Sequence, residues 1–295
     1  MTINSAIELI HVTKHYGNQD VVFSDVCLSL PQGQVIGLVG ENGSGKTTFI
    51  KLISGITCQD SGEIYVLGQP LRNEKATVAL RKYVSIMGDA NRALYWNLTG
   101  MDNVEYFWTL KSGRSVKEMP KRVLENIERF NMSAFIHKRV ETYSKGMKQR
   151  LLLLICLLDE PSILFLDEPL NGLDFENAFI LKQIISDFVK NQNGTVIITS
   201  HDKNFINEVC DAQYVIRDKQ IAKCESFDPT NKEIALFVKF FFEEDKQAYI
   251  RQYQHTVSPV DKNILKIKAD INDASFYGRI SPDLQAGRIQ ILEVK

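Results

Sequence analysis

The fold of this 295-residue chain is decided by the stretch Val35-Ile-Gly-Leu-Val-Gly-Glu-Asn-Gly-Ser-Gly-Lys-Thr47. Its last eight residues, from Gly40 to Thr47, fit the pattern G-x-x-x-x-G-K-[ST] between a strand-like run and a helix-like run. Glycines adopt backbone angles that a Cβ forbids, so several N–H groups can point at one anion. The start of the following helix adds its positive end. The stretch therefore predicts a phosphate-binding loop.

This loop also predicts which groups would meet a nucleotide. Lys46 is expected to reach the β- and γ-phosphates as a point charge, and the Thr47 hydroxyl is expected to ligate Mg²⁺. The residues expected to bind the nucleotide are Gly40, Glu41, Asn42, Gly43, Ser44, Gly45, Lys46, Thr47 and Thr48. The alternative is a glycine-rich turn without a ligand, and the flanking strand and helix disfavour it.

A second short apolar run, Ile163 to Leu166, ends in the carboxylates of Asp167 and Glu168. A buried parallel strand delivers such acids to the edge of a sheet. Asp167 is expected to hold Mg²⁺ through water, and Glu168 to act as general base on the attacking water. Taken alone, an Asp-Glu pair would favour a solvated strand end. The phosphate loop upstream favours the catalytic interpretation.

Between these two motifs lies Tyr143-Ser-Lys-Gly-Met-Lys-Gln-Arg-Leu151. A serine cap and a glycine at a helix start form an anion site. The segment resembles the L-S-G-G-Q signature of nucleotide-binding subunits of ATP-binding-cassette (ABC) transporters, and the resemblance covers residues 7 to about 225. It implies that Ser144 and Gly146 bind the γ-phosphate held by the opposite subunit. Tyr143, Lys145 and Met147 depart from the commonest form, and S-K-G-M-K-Q-R is similar to the variant of export-type (ABC-2-like) members.

The same resemblance assigns three further residues. Asn171-Gly-Leu-Asp174 is similar to the D-loop at the dimer interface, which makes Asp174 a nucleotide-site residue. Val196-Ile-Ile-Thr-Ser-His201 ends in a histidine similar to the one that contacts the γ-phosphate, so His201 is expected to assist Glu168 in catalysis. Tyr16 resembles the aromatic residue that stacks on adenine through its flat face.

One expected residue is missing. The family normally has a glutamine where a core strand leads into the helical subdomain, and the stretch from Tyr83 to Thr99 contains none. Ala90 occupies the position where the glutamine is usual, and both of its neighbours in the chain have a side-chain oxygen. Of these neighbours, Asp89 is expected to offer an oxygen to Mg²⁺ or water. Tyr95 and Trp96 either dock on a membrane subunit, since aromatics are enriched at interface cores, or pack inside the helical subdomain.

Composition is that of an ordinary globular protein, with 44% hydrophobic and 24% charged residues. The formal net charge of -1 gives no electrostatic argument for nucleic acid, and no nucleic-acid partner is expected. The longest apolar run, Leu151 to Leu158, is far shorter than the ~20 residues of a membrane helix. No metal-type C-x-x-C pair occurs among Cys27, Cys58, Cys156, Cys210 and Cys224, so reduced thiols are expected. We expect a cytoplasmic protein, peripheral on the membrane through a permease.

The order of the motifs predicts an α/β fold. We expect a P-loop nucleotide-binding domain over residues 1–225, with a mostly parallel sheet, an antiparallel N-terminal β portion and a helical subdomain over about 75–150. Residues 226–295 are expected to form a small α+β extension, or a tail folded back on the core. In it, the apolar spacing predicts a helix over Asn231 to Gln254, and strands over Leu265 to Ile271 and Ile289 to Val294.

The resemblance implies a subunit that binds and hydrolyses ATP with Mg²⁺ and drives transport, in the direction of export, through a separate integral membrane permease. The chain holds one phosphate loop, so a second copy or a related ATPase subunit is expected as partner. Two alternatives stay open. A soluble ABC ATPase acting on ribosomes or DNA usually carries two cassettes or long coiled-coil or basic insertions. A nucleotide-dependent regulator with little hydrolysis must explain the presence of Glu168 and His201.

Overall fold

A computed structural model describes residues 5–17, 20–72, 74–80, 82–88, 90–170, 173, 175–200, 203–225, 227, 233–252, 257–261, 263–270 and 288–294. The chain divides into two units. The first consists of Met1–Asp202 with Cys210–Phe227, and the second of Lys203–Val209 with Asp228–Lys295. Among the described residues, no helix combines the length and the apolar character needed to cross a membrane.

The central sheet of the first unit is built from short apolar runs. Its strands are β3 (Val35–Val39), β6 (Val84–Met87), β7 (Ile163–Asp167), β8 (Thr195–Thr199), β9 (Ala212–Arg217) and β10 (Gln220–Lys223), in the order β10-β9-β3-β8-β7-β6. All neighbours pair in parallel except β10, which is antiparallel to β9. Strand β8 is buried along its whole length, as expected of a parallel strand covered on both faces.

A second, antiparallel sheet forms the N-terminal β portion. Its strands are β1 (Ser5–Tyr16), β2 (Asp20–Pro31), β4 (Ser61–Val66) and β5 (Gln69–Pro70), in the order β2-β1-β4-β5. Helix α1 (Lys46–Ile53) buries Phe49, Ile50, Leu52 and Ile53. These side chains belong to one hydrophobic cluster with buried residues of both sheets, so α1 joins the sheets into a single core.

Most of the remaining helices lie between β5 and β8. They are α2 (Glu74–Leu80), α3 (Ala90–Ala93), α4 (Gly100–Ser112), α5 (Lys121–Arg129), α6 (Lys145–Cys156) and α7 (Phe175–Gln192), with short 3-10 turns at Val116–Glu118 and Val140–Thr142. The predicted helical range of 75–150 is corrected in two places. Strand β6 falls inside it, because Val84 to Met87 pair with Ile163 to Leu166 of β7, and α6 continues to Cys156.

The second unit contains α8 (Lys203–Val209), β11 (Glu233–Phe240), α9 (Glu243–Gln252), β12 (Val257–Asp261), β13 (Ile264–Asp270) and β14 (Ile289–Val294). The four strands form an antiparallel sheet in the order β12-β13-β11-β14. Helix α9 lies against this sheet through Tyr249, whose ring centroid is 5.0 Å from that of Phe240.

The predicted helix over Asn231 to Gln254 is wrong in its first half. Residues Glu233 to Phe240 form β11, which pairs with β13 on one side and β14 on the other. The helix begins only at Glu243, where three acidic residues lie in the first turn and favour its positive end. The predicted strands are confirmed over Ile264–Asp270 and Ile289–Val294, while Ile271 lies outside the described residues.

Candidate functional site

Three parallel strands end together and bring two of the predicted motifs to one sheet edge. In the register, Leu38 of β3 lies beside Thr199 of β8, and Thr199 lies beside Asp167 of β7. The phosphate loop starts directly after β3, and Glu168 directly follows β7. The carboxyl ends of parallel strands are where ligands bind in open α/β sheets.

The phosphate loop has a conformation that requires glycine. Gly45 precedes α1 with a φ of 113°, in the left-handed region, and a Cβ there would lie 2.8 Å from Cγ1 of Val22. At Gly40, a Cβ would lie 2.5 Å from Oγ of Ser44 and 3.0 Å from the carbonyl oxygen of Ile216. The loop is therefore packed closely against β2 and β9, and its shape requires that Gly40 and Gly45 have no side chain.

Polar groups of the loop fit an anion. Nζ of Lys46 donates to the carbonyl oxygens of Gly40, at 2.6 Å, and Glu41, at 3.0 Å, so the ammonium group lies over the loop. The Ser44 hydroxyl is buried and has no hydrogen-bond partner among the described residues. In the described structure no side chain caps the start of α1. A phosphate oxygen would satisfy these donors.

The predicted loop residues thus lie in one turn, with different exposure. Glu41, Asn42, Gly43 and Thr47 are exposed, while Ser44, Lys46 and Thr48 are half-buried. Thr47, the expected metal ligand, is therefore an exposed residue at the start of α1.

The two acidic residues are held by the neighbouring strand. The hydroxyl of Thr199 donates to Oδ1 of Asp167. The backbone N–H of Glu168 donates to the carbonyl oxygen of Thr199 at 2.9 Å and to its hydroxyl oxygen at 3.3 Å. Glu168 has a φ of 47°, a left-handed conformation that is uncommon outside glycine. Such strained backbone is concentrated at functional sites.

Sequence reasoning did not single out Thr199, which contacts both acidic residues. A threonine at the end of a buried strand is an ordinary feature, and its partners Asp167 and Glu168 lie about thirty positions away in the chain. The available signal was its place two residues before His201, near the end of a strand-like run.

The signature segment forms the capped start of α6. Oγ of Ser144 accepts from the N–H of Met147 at 3.3 Å, and the N–H of Ser144 donates to Sδ of Met147 at 3.4 Å. Met147 therefore takes the part that Glu or Gln plays in an ordinary capping box. Gly146 is buried against the side chain of Asn177 on α7, which leaves no room for a Cβ.

Tyr143, the first departure from the common signature, has a structural explanation. Its hydroxyl donates to the carbonyl oxygen of Phe135 at 2.8 Å, and the two rings meet edge to face at 5.0 Å. Burial raises the pKa of Tyr143 to about 12. Further along the helix, Nε2 of Gln149 donates to the carbonyl oxygen of Pro169 at 3.2 Å, so α6 is tied to the segment that follows Glu168.

Tyr16 lies at the end of β1, opposite Asp20 of β2, and is 42% exposed. Nζ of Lys14 lies 5.4 Å from the centre of its ring. Asp20 lines a cavity of about 490 Å³ together with Gly43 and Ser44 of the phosphate loop. Tyr16 therefore pairs with a residue that lines a cavity beside the phosphate loop.

Three predicted site residues, Asp89, Asp174 and His201, lie outside the described residues. The neighbouring described elements are β6, which ends at Met87 beside Leu166, and β8, which ends at Thr199.

A larger cavity of about 940 Å³ lies in the same unit, between β6 and helices α4 and α6. Val84, Ile86, Phe107 and Trp108 contribute its apolar lining. Among the described lining residues, the cationic ones are Lys82, Lys111, Arg114 and Arg122, and the anionic one is Asp159. Lys111 pairs with Asp159 at 3.6 Å and Arg122 pairs with Glu160 at 2.8 Å, so two of these four cations already have carboxylate partners.

Comparison with known proteins agrees with this geometry. The sequence profile of a family described as ABC transporter matches residues 23–171. The chain is 30% identical over 197 residues to the ABC transporter ATP-binding protein NatA of Bacillus subtilis (strain 168), which covers 67% of this chain and 78% of NatA. It is 31% identical over 231 residues to the lantibiotic transport ATP-binding protein SrtF of Streptococcus pyogenes, which covers 78% of this chain and 95% of SrtF.

Among solved structures, cbiO1 from Clostridium perfringens, part of the ABC transporter complex cbiONQ, has the same fold. The TM-score is 0.68 at 24% identity, over 74% of this chain and 87% of that chain. The family profile and the relatives together establish that this chain belongs to the ABC transporter family, as an ATP-binding subunit that hydrolyses ATP.

Proposed function

We propose that two copies of this subunit, or one copy and a related ATPase subunit, close face to face around ATP. Lys46 and the phosphate loop of one subunit would hold the β- and γ-phosphates, while Ser144 and Gly146 of the other would meet the γ-phosphate. The capped start of α6 supports this role, because a helix N-terminus directs N–H groups at an anion. The D-loop residue Asp174 would lie along this interface, and Tyr16 would stack on adenine.

The observation that carries the proposal is the shared sheet edge. The phosphate loop and the acidic pair follow neighbouring strand ends, and the loop holds a buried Ser44 hydroxyl without a partner among the described residues. A buried hydroxyl without a hydrogen bond costs free energy, which a phosphate oxygen would recover.

Magnesium fits the oxygen donors at this edge. Thr47 and Asp167 are exposed residues with hydroxyl and carboxylate oxygens, the ligand type that Mg²⁺ prefers, and we propose Asp89 as a further donor. When bound, Mg²⁺ would neutralise charge on the phosphate oxygens.

Hydrolysis is assigned to the protein groups next to the metal ligands. The carboxylate of Glu168 would accept the proton of the attacking water, and its backbone is held toward the site by the hydrogen bonds to Thr199. We propose that His201 contacts the γ-phosphate and assists this step.

The cavity beside β6 is our proposed docking site for a permease. Its apolar lining and the cationic side chains of Lys82 and Arg114 suit an amphipathic helix with acidic residues. Lys111 and Arg122 are already paired, with Asp159 at 3.6 Å and Glu160 at 2.8 Å. Tyr95, 46% exposed, and Trp96, 42% exposed, extend this surface. Tyr95 contacts Phe107, which lines the cavity, with ring centroids 6.1 Å apart. This exposure favours docking over packing inside the helical subdomain.

Export is the proposed direction of transport. The relative SrtF is named for lantibiotic transport, and the S-K-G-M signature resembles export-type members. The subunit would act at the cytoplasmic face of the membrane, held there by the permease. We also propose that residues 226–295 form a folded extension of the domain over residues 1–225, supported by the second unit, which contains Asp228–Lys295 together with Lys203–Val209.

Affinity purification of a tagged Glu168→Gln chain, in mild detergent with ATP, tests the transporter assignment. We expect one multi-span membrane protein in stoichiometric amount, retained with ATP. A Lys46→Ala chain purified in parallel controls for nucleotide-independent capture. Recovery of ribosomes or DNA-repair factors instead would support the soluble alternative and contradict the proposal.

A further inference from the structure

We propose that Thr199 is a positioning residue for ATP hydrolysis, which orients the metal-binding carboxylate of Asp167 and the backbone of Glu168 through one hydroxyl group. The inference rests on the proposed roles of Asp167 and Glu168.

The hydroxyl of Thr199 bridges two residues of the neighbouring strand end. It donates to Oδ1 of Asp167 and accepts from the N–H of Glu168 at 3.3 Å. A threonine hydroxyl can donate one hydrogen bond, and here it donates that bond to the carboxylate of Asp167. Thr199 is 0% exposed, so water does not compete for these bonds.

This bridge matters because Asp167 is otherwise exposed. A carboxylate on the surface can rotate about its terminal torsion, and a bond to one oxygen removes that freedom. With Oδ1 bonded to Thr199, Oδ2 is the oxygen with both of its lone-pair sites free of this bond, and it is therefore the better placed to meet the metal's water. Thr199 thereby sets which carboxylate oxygen faces the site.

The same residue supports the general base. Glu168 has a left-handed φ of 47°, which a non-glycine residue keeps only when its surroundings hold it. Both acceptors for its N–H, the carbonyl and the hydroxyl oxygen, belong to Thr199. Removal of the Thr199 hydroxyl leaves the hydrogen bond from the Glu168 N–H to the Thr199 carbonyl oxygen. The loss therefore affects Asp167 more than Glu168.

Strand β8 offers a matched control in Thr195. It is 1% exposed, and its hydroxyl oxygen accepts from the N–H of Gly33 at 3.0 Å. It lies at the opposite end of the same strand, beside Ile163 of β7. The two threonines therefore share residue type, strand, burial and an engaged hydroxyl, and differ in their distance from the acidic pair.

Binding of a fluorescent ATP analogue to the purified full chain tests the inference without relying on turnover. Affinity is measured during a Mg²⁺ titration and in excess chelator. For Thr199→Val we expect the Mg²⁺ midpoint to rise roughly tenfold, the loss typical of a hydrogen bond to a charged group, with unchanged affinity in chelator. Thr199→Ser should restore the midpoint. Thr195→Val should lower thermal stability to a similar extent and leave the midpoint unchanged.

Asp167→Asn distinguishes the metal role of Asp167 from the positioning role of Thr199. If Asp167→Asn raises the midpoint and folded Thr199→Val does not, the positioning role is wrong and the metal role of Asp167 stands. If Asp167→Asn leaves the midpoint unchanged, the proposed metal role is wrong, and the inference is overturned with it. Thr199→Ala is the second variant, with the same expected shift, should the valine variant fail to fold.

Discussion

At the scale of single residues, the two carboxylates of the acidic strand end lie in different surroundings. Asp167 is exposed, while Glu168 is half-buried with its backbone tied to β8. An exposed carboxylate suits a metal with its water shell, whereas a half-buried one suits proton transfer from a single water. The difference in exposure is consistent with the separate roles proposed for these neighbouring residues of the same charge.

Glu168→Gln tests this division. Because the amide keeps the size of the side chain and removes the base, we expect ATP binding to persist while hydrolysis falls by orders of magnitude. Nucleotide binding and phosphate release, measured on the same preparation, check both halves. Glu160→Gln is a suitable control, since Glu160 pairs with Arg122 outside the site. Normal phosphate release by Glu168→Gln would refute the assignment.

The sequence reveals residues whose partners are near in the chain and misses those whose partners are distant. The loop from Gly40 to Thr47 could be predicted because eight consecutive residues carry its pattern. Thr199 could not, because its contacts with Asp167 and Glu168, and with them its proposed role, depend on the register between β7 and β8. Met147 could not be interpreted either, since its sulfur replaces a capping side chain only once α6 has formed.

At the scale of elements, α6 connects two parts of the proposed mechanism. Its first residue follows the Ser144 cap, and its second turn holds Gln149 against the carbonyl oxygen of Pro169. The helix therefore links the surface proposed to meet the partner's nucleotide with the segment after Glu168.

Ser144→Ala separates the two tasks of this cap. Removal of an N-cap serine costs about 1 kcal/mol of stability, and here it should also weaken ATP-dependent dimerisation. Thr99→Ala is the matched control, because Thr99 caps α4 by the same pattern, accepting from Asp102 N–H at 3.0 Å. In a Glu168→Gln background, size-exclusion chromatography with ATP should show fewer dimers for Ser144→Ala alone. An equal loss of dimer in Ser144→Ala and Thr99→Ala would mean that Ser144 acts as a helix cap without a further role in dimerisation.

Strand β11 shows why periodicity alone misassigned an element. The run Glu233 to Phe240 is rich in β-branched and aromatic residues, and its apolar positions satisfy a helical spacing as well as an alternating one. Pairing with β13 and β14 decides the outcome, since two neighbours supply hydrogen bonds along both of its edges. The short strand β6 lies inside the range expected to be mainly helical, and its partner β7 lies far ahead in the sequence.

At the scale of the whole molecule, β6 joins the proposed docking cavity to the nucleotide site. Val84 and Ile86 line the cavity, and Met87 lies beside Leu166, the residue before Asp167. A rigid strand can carry a displacement from one end to the other, so a permease bound in the cavity could sense the nucleotide state.

Asp89→Ala tests the connection at its nucleotide end. We expect ATP to bind normally, while turnover and transport by the reconstituted complex fall, because an oxygen donor to the metal or its water is lost. Asp89→Asn keeps one neutral oxygen, so its turnover should lie between those of the wild-type protein and of Asp89→Ala. An unchanged ATPase rate in the complex would show that another residue fills the place of the missing glutamine.

The other end of the connection is tested by a double variant, Tyr95→Ala with Trp96→Ala. Aromatic residues at the centre of an interface carry a large share of binding energy, so the permease should be lost during purification. The isolated subunit should keep its ATPase rate, since both side chains are exposed and lie away from the phosphate loop in the chain. Leu124→Ala is the control, an exposed apolar residue of α5 that does not line the cavity. Retention of the permease by the double variant, at wild-type stoichiometry, would place the docking surface elsewhere and leave the ATPase assignment intact.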